Sequence, residues 1–404
     1  MARILFAWEL GKGFGHLAPY RDYVAALRKA GHDIVFAARD VANADRVFAP
    51  LGVPILQAPI ALRNPDHVYR VQYIFAQLAH NAGLGEVTDM FGRVKAWLHL
   101  FNYASPDLVV FDHSPTALLA ARAFPCRRIV SGSGFLVPPP GEPQPLMRYW
   151  QKVSNDEMLR VERQLLGGLN HALHALKCPP LARFSDLYDA DLQFLLSPPE
   201  LDHYPQRRSG NYVGQAPGEG YGAPPRWPPG NGRRVFAYLY PFKTLPALLD
   251  ALRASGAAVL IHGPEIPAAV RQQYAAGNVA FAGEALDMRQ VGEQCDGAVT
   301  NGTFGTTTAL LLAGKPVLMI PQNLERSMVA RRVIGLGAGI GLTPAQSALF
   351  APRLAALLDN TAYAAAARAF AERHAHATVG RQTALMLAQT ERLLAGSAPS
   401  ALRV

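Results

Sequence analysis

Short apolar runs alternate with amphipathic stretches along the chain, and this alternation predicts an α/β protein. Four early runs have the length and composition of buried strands: RILFAW (3–8), DIVFAA (33–38), LVVFD (108–112) and RRIVSG (127–132). Between them, apolar residues recur at helical spacing from His16 to about Ala30, and again from about Thr116. A long helix is expected over residues 146–177. Strands that alternate with helices are typical of a parallel, doubly wound sheet.

Proline and glycine interrupt the pattern at residues 216–232 and predict a linker, after which the alternation restarts. Five further strand candidates follow it: RVFAYLY (234–240), AAVLIHG (257–263), GAVT (297–300), PVLMI (316–320) and GAGIGL (337–342). We therefore predict one Rossmann-like domain over 1–215, a second over 233–378, and a C-terminal helix over about 379–396 that can pack on either. Two such domains imply a central cleft, with ligands at the carboxyl ends of the strands.

The composition fits a globular protein of two or three domains, with 404 residues of which 50% are hydrophobic and 17% are charged. Its net charge of +9 comes mostly from dispersed arginines, which we interpret as solvated surface; a surface that attracts anions or anionic lipids is the alternative. The three cysteines lack metal or disulfide spacing, and we expect no nucleic-acid binding. Without an apolar run of ~18 residues, we expect a cytoplasmic protein, at most peripheral at the inner membrane face.

The glycine-rich loop GKGFGH (11–16) follows the first strand, and two interpretations of it are open. In a dinucleotide-binding loop, Asp40 would bind a ribose, but His16 stands where a small residue is needed. Alternatively, His16 is a proton acceptor at the N-terminal end of a helix, where the dipole favours a neutral imidazole. Asp112 ends a strand at the same sheet edge and would orient the ring. Plain structural explanations remain: a packed or capping His16, a helix-capping Asp112, or competition from His113.

A second loop follows the strand that ends at Thr300. Small residues lead into Gly305, Thr306 and Thr307, which open an apolar helix. The free N–H groups of a helix start, together with the helix dipole, form a natural site for a diphosphate. Threonines that merely cap the helix are the alternative explanation.

Residues 299–333 resemble the donor-binding region of GT-B glycosyltransferases of the UDP-glycosyltransferase superfamily, of the bacterial macrolide-glycosyltransferase type. GHLAP (15–19) is similar to the N-terminal G-H-x-x-P of that family, and EALDM (284–288) resembles the lipid-linked muramyl transferase type. The resemblance implies an inverting, metal-independent transferase that moves a sugar from a UDP- or dTDP-sugar to a hydroxyl or another nucleophile. The nucleotide sugar would be a co-substrate, with no other cofactor, and the acceptor a small molecule, apolar or lipid.

The resemblance also implies the roles of individual residues. His16 would take the acceptor proton, and Asp112 would hold His16. The donor would contact two loops and a backbone amide: Asn301, Gly302, Thr303, Gly305, Thr306, Thr307, Glu325, Arg326 and, near the base, Leu286. The acceptor-side candidates come from the first loop and from the segments that vary in the family: Phe14, Gly15, Phe135 and Arg148.

Three positions depart from the family pattern. Asn301 replaces a histidine, Thr303 replaces the second glycine, and Arg326 replaces the glutamine that follows Glu325. Asparagine donates a neutral hydrogen bond, worth roughly 0.5–1.5 kcal/mol rather than the ~1.5–3 kcal/mol of a charged one. Arg326 suggests an altered sugar or an anionic donor. These departures keep open a second interpretation, a non-catalytic relative that binds a sugar nucleotide.

Overall fold

The protein divides into two compact units in a computed structural model that describes residues 1–63, 65–215 and 222–396. The first unit comprises Met1–Gly214 together with the C-terminal residues from Gln382, and the second comprises Gln215–Arg381. Part of the predicted linker, residues 216–221, lies outside the described residues.

The first unit contains a sheet of six parallel strands in the order β3-β2-β1-β4-β5-β6. The strands are β1 (Arg3–Trp8), β2 (Asp33–Ala38), β3 (Ile55–Gln57), β4 (Leu108–Asp112), β5 (Arg127–Gly132) and β6 (Leu192–Leu195). The helices that accompany them are α1 (Arg21–Lys29), α2 (Val41–Phe48), α3 (Phe75–Ala79), α4 (Val87–Ala104), α5 (Pro115–Ala120) and α6 (Asn155–Ala175). Because helices cover a parallel sheet, its central strands are buried along their whole length, as all five residues of β4 are.

Two predicted helices begin later than the sequence pattern suggests. The segment after the first loop forms two short 3₁₀ turns, Phe14–His16 and Ala18–Tyr20, before α1 begins at Arg21. Leu17 separates them because its backbone, at φ −123°, lies outside the helical region. The helix expected over residues 146–177 is α6, which begins after an extended Ser154.

The second unit repeats the topology with strand order β12-β11-β10-β7-β8-β9. Its strands are β7 (Arg234–Tyr238), β8 (Ala258–His262), β9 (Val279–Phe281), β10 (Gly297–Thr300), β11 (Val317–Met319) and β12 (Gly339–Gly341). Its helices are α7 (Leu245–Ala254), α8 (Ala268–Tyr274), α9 (Met288–Gln294), α10 (Phe304–Leu312), α11 (Leu324–Gly335), α12 (Phe350–Asp359) and α13 (Thr361–Arg373). The predicted fold class, α/β with two doubly wound domains, is confirmed.

Each sheet reverses its strand order once, between β1 and β4 in the first unit and between β7 and β10 in the second. The chain leaves the two strands of such a pair in opposite directions, which opens a crevice at their carboxyl ends where ligands of these sheets bind. The loop with His16 follows β1, Asp112 ends β4, and Asn301 follows β10. The topology therefore brings the predicted site residues to the two places where ligand binding is expected.

The C-terminal helix α14 (Val379–Leu394) packs on the first unit through polar contacts. The hydroxyl groups of Tyr23 and Thr390 lie 2.5 Å apart, and Nε2 of His32 lies 2.7 Å from a carboxylate oxygen of Glu391. In the part of the chain that the structure describes, no helix has the length and apolar character needed to span a membrane.

The pair formed by Tyr23 and Thr390 predicts an asymmetric response to mutation. Thr390 donates its hydroxyl proton to the carbonyl of Met386 at 2.9 Å, so Tyr23 must be the donor to Thr390. Thr390→Val therefore leaves a buried tyrosine hydroxyl without an acceptor and should cost about 1–3 kcal/mol, whereas Tyr23→Phe should cost only about 0.5–1.5 kcal/mol. Urea unfolding of both variants and of the double variant tests this. A double variant less stable than Thr390→Val would contradict it.

Candidate active site

A histidine and an aspartate meet at the strand-order reversal of the first sheet. Trp8, the last residue of β1, pairs with Asp112, the last residue of β4. The turn after β1 brings Nδ1 of His16 to 3.1 Å from Oδ1 of Asp112. When Nδ1–H donates to the carboxylate, the neutral ring has its proton-accepting lone pair on Nε2.

Asp112 is a buried acid, with a side chain only 6% exposed. Burial raises its pKa, while the charge of His16 and hydrogen bonds from His16 and Tyr20 lower it. The Tyr20 hydroxyl also lies 3.0 Å from the hydroxyl of Ser131, which ties the acid to the neighbouring strand β5. An acid in this position fixes the tautomer of the imidazole and stabilises the imidazolium that proton uptake creates.

The His16 ring lies among other rings rather than at the start of a long helix. Its centroid is 5.1 Å from that of Trp8 and 6.1 Å from that of His113, with near-parallel planes. The expectation that a helix dipole keeps His16 neutral is wrong, because His16 ends a three-residue turn and α1 begins only at Arg21. Ring packing and Asp112 position the imidazole instead.

His113 has a different environment from His16, although it is adjacent to Asp112. Burial, together with the charges of His16 and Arg39, lowers its pKa to about 3. Its backbone adopts a left-handed conformation, φ 44°, and its carbonyl accepts a hydrogen bond from the amide of Leu10 at 3.1 Å. His113 is therefore a neutral side chain beside the dyad, and Asp112 pairs with His16. The helix-capping explanation of Asp112 also fails, because the N-cap of α5 is Ser114.

Asp40, which a dinucleotide would need for its ribose, caps a helix instead. Its Oδ1 accepts from the amide of Asn43 at 3.0 Å, and its Oδ2 accepts from the Asn43 side chain at 2.6 Å. These contacts close the first turn of α2 and occupy both carboxylate oxygens.

The loop after β10 forms a compact cradle in the second unit. The amide of Asn301 donates to the carbonyl of Tyr238 at 3.1 Å, which joins the loop to the end of β7. Oδ1 of Asn301 accepts from the amide of Thr303 at 2.9 Å and from its hydroxyl. Nδ2 of Asn301 and the hydroxyls of Thr307 and Thr308 are buried without a partner among the described residues.

Backbone geometry shapes the same cradle. At Gly302, φ is +84°, and a Cβ atom there would lie 3.0 Å from the carbonyl oxygen of Arg326. A Cβ atom on Gly305 would lie 3.3 Å from Nε2 of Gln215. The helix α10 begins at Phe304, and Thr303 precedes it without a side-chain cap. The loop and the start of α10 are therefore closely packed and leave little room for a side chain at Gly302 or Gly305.

Arg326 lies beside the cradle on a pair of tyrosines. Its guanidinium carbon is 4.6 Å from the ring centroid of Tyr240, whose hydroxyl is 3.0 Å from that of Tyr238. Burial raises the pKa of Tyr238 above its ordinary value. Asn323 caps α11 through a bond from the Arg326 amide at 3.0 Å, and Glu325 lies in the same first turn.

Leu286 lies in a short bridge with Ala223. Ala223 donates to the carbonyl of Ala285 at 2.8 Å, and Asp287 donates to the carbonyl of Ala223 at 2.9 Å. In a parallel bridge, the amide and carbonyl of the residue between two such bonds point to the other side. The backbone of Leu286 is thus turned away from the segment that contains Ala223.

Comparisons with known proteins agree with this fold. Residues 247–384 match the family model described as the C-terminal domain of erythromycin biosynthesis protein CIII-like proteins. Spinosyn rhamnosyltransferase SpnG has 18% sequence identity and a TM-score of 0.67 over 98% of this chain and 100% of its own. Glycosyltransferase VinC, solved in complex with dTDP, has 16% identity and a TM-score of 0.69 over 96% and 100%. SsfS6, a glycosyltransferase of Streptomyces sp. SF2575, has 21% identity and a TM-score of 0.63 over 96% and 100%.

The chain has the GT-B fold of these glycosyltransferases, and its residues 247–384 match the C-terminal domain of the erythromycin biosynthesis protein CIII-like family. The resemblance seen in the sequence is therefore confirmed for the fold of the chain and for the family of residues 247–384. SpnG has also been solved with spinosyn aglycone and with thymidine diphosphate. No curated protein matches the chain.

The acceptor-side candidates of this GT-B chain fall into two groups. Phe14 and Gly15 are exposed in the same turn as His16, and the guanidinium of Arg46 lies 5.5 Å from the Phe14 ring. Phe135 is buried against Phe75, and Arg148 donates to the carbonyl of Gln72 at 3.1 Å. Within the described ranges there is no group of three or more His, Cys, Asp or Glu side chains that could hold a metal.

Several residues of the GT-B site were missed by sequence reasoning, among them Trp8, Gly11 and Tyr20. Gly11 has φ +88°, and a Cβ atom at this position would lie 2.2 Å from Nε2 of His16. A side chain at position 11 would therefore displace the His16 ring. The alternate glycines of the loop were a signal for such positions, but the spacing alone did not show which glycine faces the ring.

Gly11 and Gly13 form a matched pair for testing this geometry. Both have left-handed backbones, at φ +88° and +78°, but a Cβ atom on Gly13 would meet nothing within 4 Å. Gly11→Ala should displace the His16 ring and change its imidazole NMR signals, whereas Gly13→Ala should leave them unchanged despite a similar backbone penalty. Unchanged His16 signals in a folded Gly11→Ala protein would show that the loop does not hold the ring in this position.

Proposed function

We propose that this protein is an inverting, metal-independent glycosyltransferase that moves a sugar from a nucleotide diphosphate donor to a hydroxyl of a small-molecule acceptor. The observation that carries the proposal is the contact of 3.1 Å between His16 and Asp112 at the ligand-binding edge of the first sheet. In this assignment, the first unit binds the acceptor and the second unit binds the donor.

In the proposed reaction, Nε2 of His16 takes the proton of the acceptor hydroxyl as its oxygen attacks the anomeric carbon. The bond from that carbon to the donor phosphate breaks, and the nucleoside diphosphate leaves with the electron pair. Attack from the face opposite the leaving group inverts the configuration. Asp112 stabilises the imidazolium formed, and a positioned base of this kind typically contributes about 10²–10⁴-fold to the rate.

The cradle after β10 is the proposed diphosphate site. The N–H groups at the start of α10, Nδ2 of Asn301 and the buried hydroxyl of Thr307 are hydrogen-bond donors to phosphate oxygens. A helix start contributes about 0.3–1 kcal/mol toward a nearby negative charge at an exposed site, and more when partly buried. These neutral donors would stabilise the leaving diphosphate without a divalent cation.

Two finer features of the donor follow from the proposal. Leu286 would contact the base through its backbone. Glu325 and Arg326 would contact the sugar. The phosphates would be surrounded by Gly302, Thr303, Gly305 and Thr306. The structures of VinC with dTDP and of SpnG with thymidine diphosphate favour a dTDP-sugar. The SpnG structure with spinosyn aglycone supports an aglycone acceptor.

Removal of the base should abolish sugar transfer but leave donor binding intact. We expect His16→Ala to lower kcat by at least about 10²-fold, while the thermal shift induced by dTDP stays as in the wild type. Asp112→Asn should lower kcat as well, because it removes the charge that stabilises the imidazolium. Normal turnover by His16→Ala would refute the base assignment. Wild-type protein that binds sugar nucleotides without hydrolysis or transfer would instead support the accessory interpretation.

Thr307 and Thr308 test the diphosphate site as neighbouring, equally buried threonines. Thr307→Val removes a hydroxyl that we expect to donate to a charged phosphate, a bond worth about 1.5–3 kcal/mol, so the Kd for dTDP should rise about 10- to 100-fold. Thr308→Val, one residue further into α10, should change the Kd far less. Calorimetric titration with dTDP measures both, and equal effects would argue against the proposed phosphate position.

A further inference from the structure

The first unit contains a cavity of about 550 Å³ beyond the carboxyl ends of β1, β2 and β3. Its walls come from the glycine-rich loop and from the segments after β2 and β3: Trp8, Gly11, Lys12, Arg39, Asp40, Val41, Ala42, Gln57 and Ile60. This volume falls within the range of small-molecule sites, about 300–1,000 Å³.

The cavity adjoins the base through two of its walls. The Trp8 ring stacks on His16 at 5.1 Å, and Gly11 approaches Nε2 of the same ring. A ligand in the cavity would therefore lie next to the residues that position the proton acceptor. This places the cavity on the acceptor side of the proposed reaction.

The charge of the cavity wall is positive. Lys12 and Arg39 are its two cations, and neither forms an ion pair within 4.0 Å with a carboxylate of the described residues. The one acid of the wall, Asp40, has both oxygens bound to Asn43. Arg39 uses one nitrogen to donate to the carbonyl of Glu9 at 3.0 Å, which holds the guanidinium in place.

The carboxylate of Glu9, the buried acid closest in sequence to Lys12, does not neutralise the charges of Lys12 and Arg39. It points into the core, where it accepts from Trp97 at 2.8 Å and from the amide and hydroxyl of Thr116. Arg93 lies 3.7 Å from it on the same inner side. The His113 ring, which is also near Arg39, is neutral because burial lowers its pKa to about 3.

We propose that this cavity binds a carboxylate or phosphate group carried by the acceptor, with Arg39 and Lys12 as its partners. The identification of the ligand as the acceptor rests on the proposed transferase function, but binding of the anion can be measured without sugar transfer. Guanidinium groups bind carboxylates and phosphates through paired N–H donors, and a lysine adds a mobile point charge. The acceptor class is thus a hydroxylated aglycone that carries an anionic group.

Fluorescence titration without donor tests the charge preference with two matched probes, 7-hydroxycoumarin-3-carboxylate and its neutral 3-carboxamide. The wild type should bind the carboxylate at least about tenfold more tightly, as one charge-assisted contact provides. Lys12→Gln/Arg39→Gln should abolish this preference, and Lys12→Gln with Arg39→Lys should keep part of it. Lys152→Gln, a control with the same loss of charge at an exposed site, should leave it unchanged.

Two further experiments separate anion binding from catalysis and a lipid phosphate from a soluble acceptor. His16→Ala should retain the preference, so loss of catalysis and loss of anion binding are distinguishable. If the protein pellets with phosphatidylglycerol vesicles but not with phosphatidylcholine vesicles, and if this pelleting requires Arg39, the anion is a lipid phosphate. If the protein does not pellet with phosphatidylglycerol vesicles, the anion belongs to a soluble acceptor. Equal affinity for the two probes, binding of neither, or a preference that survives in the double glutamine variant would overturn the proposal.

Discussion

The pairing of β1 with β4 is the constraint on which the chemistry of the first unit depends. It places Trp8 opposite Asp112, so that the turn after β1 can carry His16 to the carboxylate of the neighbouring strand. Because side chains alternate along a strand, a shift of one residue in this register would move Asp112 to the other face of the sheet. His16 and Asp112 are 96 residues apart along the chain, and they meet because β1 and β4 are neighbours in the sheet.

A buried polar network stabilises the start of the same turn. Glu9 follows Trp8 directly, and its carboxylate binds Trp97 on α4 and Thr116 on α5. Burial raises its pKa, and Arg93 and these donors act in the opposite direction. A buried acid that lost its partners would be costly, so the network resists displacement of the loop. From this fixed point the chain passes Gly11, where the absence of a side chain admits the His16 ring.

The sequence was sufficient to predict nine of the twelve strands of the described residues and the two loops, because buried parallel strands are continuous apolar runs. It did not predict β3, β6 and β9, which have only three or four residues each. It was insufficient where a side chain had several possible partners. Asp40 could bind a ribose or cap a helix, and only the structure shows Asn43 on both its oxygens. Helical spacing from His16 onward did not reveal the break at Leu17, because apolar periodicity does not report a single non-helical φ angle. Arg326 could not be placed on Tyr240 from sequence, because that contact joins the first turn of α11 to the distant segment after β7.

Two of the departures from the resembled family pattern contact one another in the loop after β10. Thr303, which stands where that pattern has glycine, donates both its amide and its hydroxyl to Oδ1 of Asn301, which stands where the pattern has histidine. With Oδ1 occupied in this way, the amide group is oriented and Nδ2 remains the side-chain donor of Asn301. A histidine in that position would offer a ring N–H, and the oriented asparagine offers an amide N–H. The loop thus keeps a hydrogen-bond donor at position 301 but loses the positive charge that a protonated histidine would carry. The hydrogen bonds from Thr303 hold the Asn301 side chain in place.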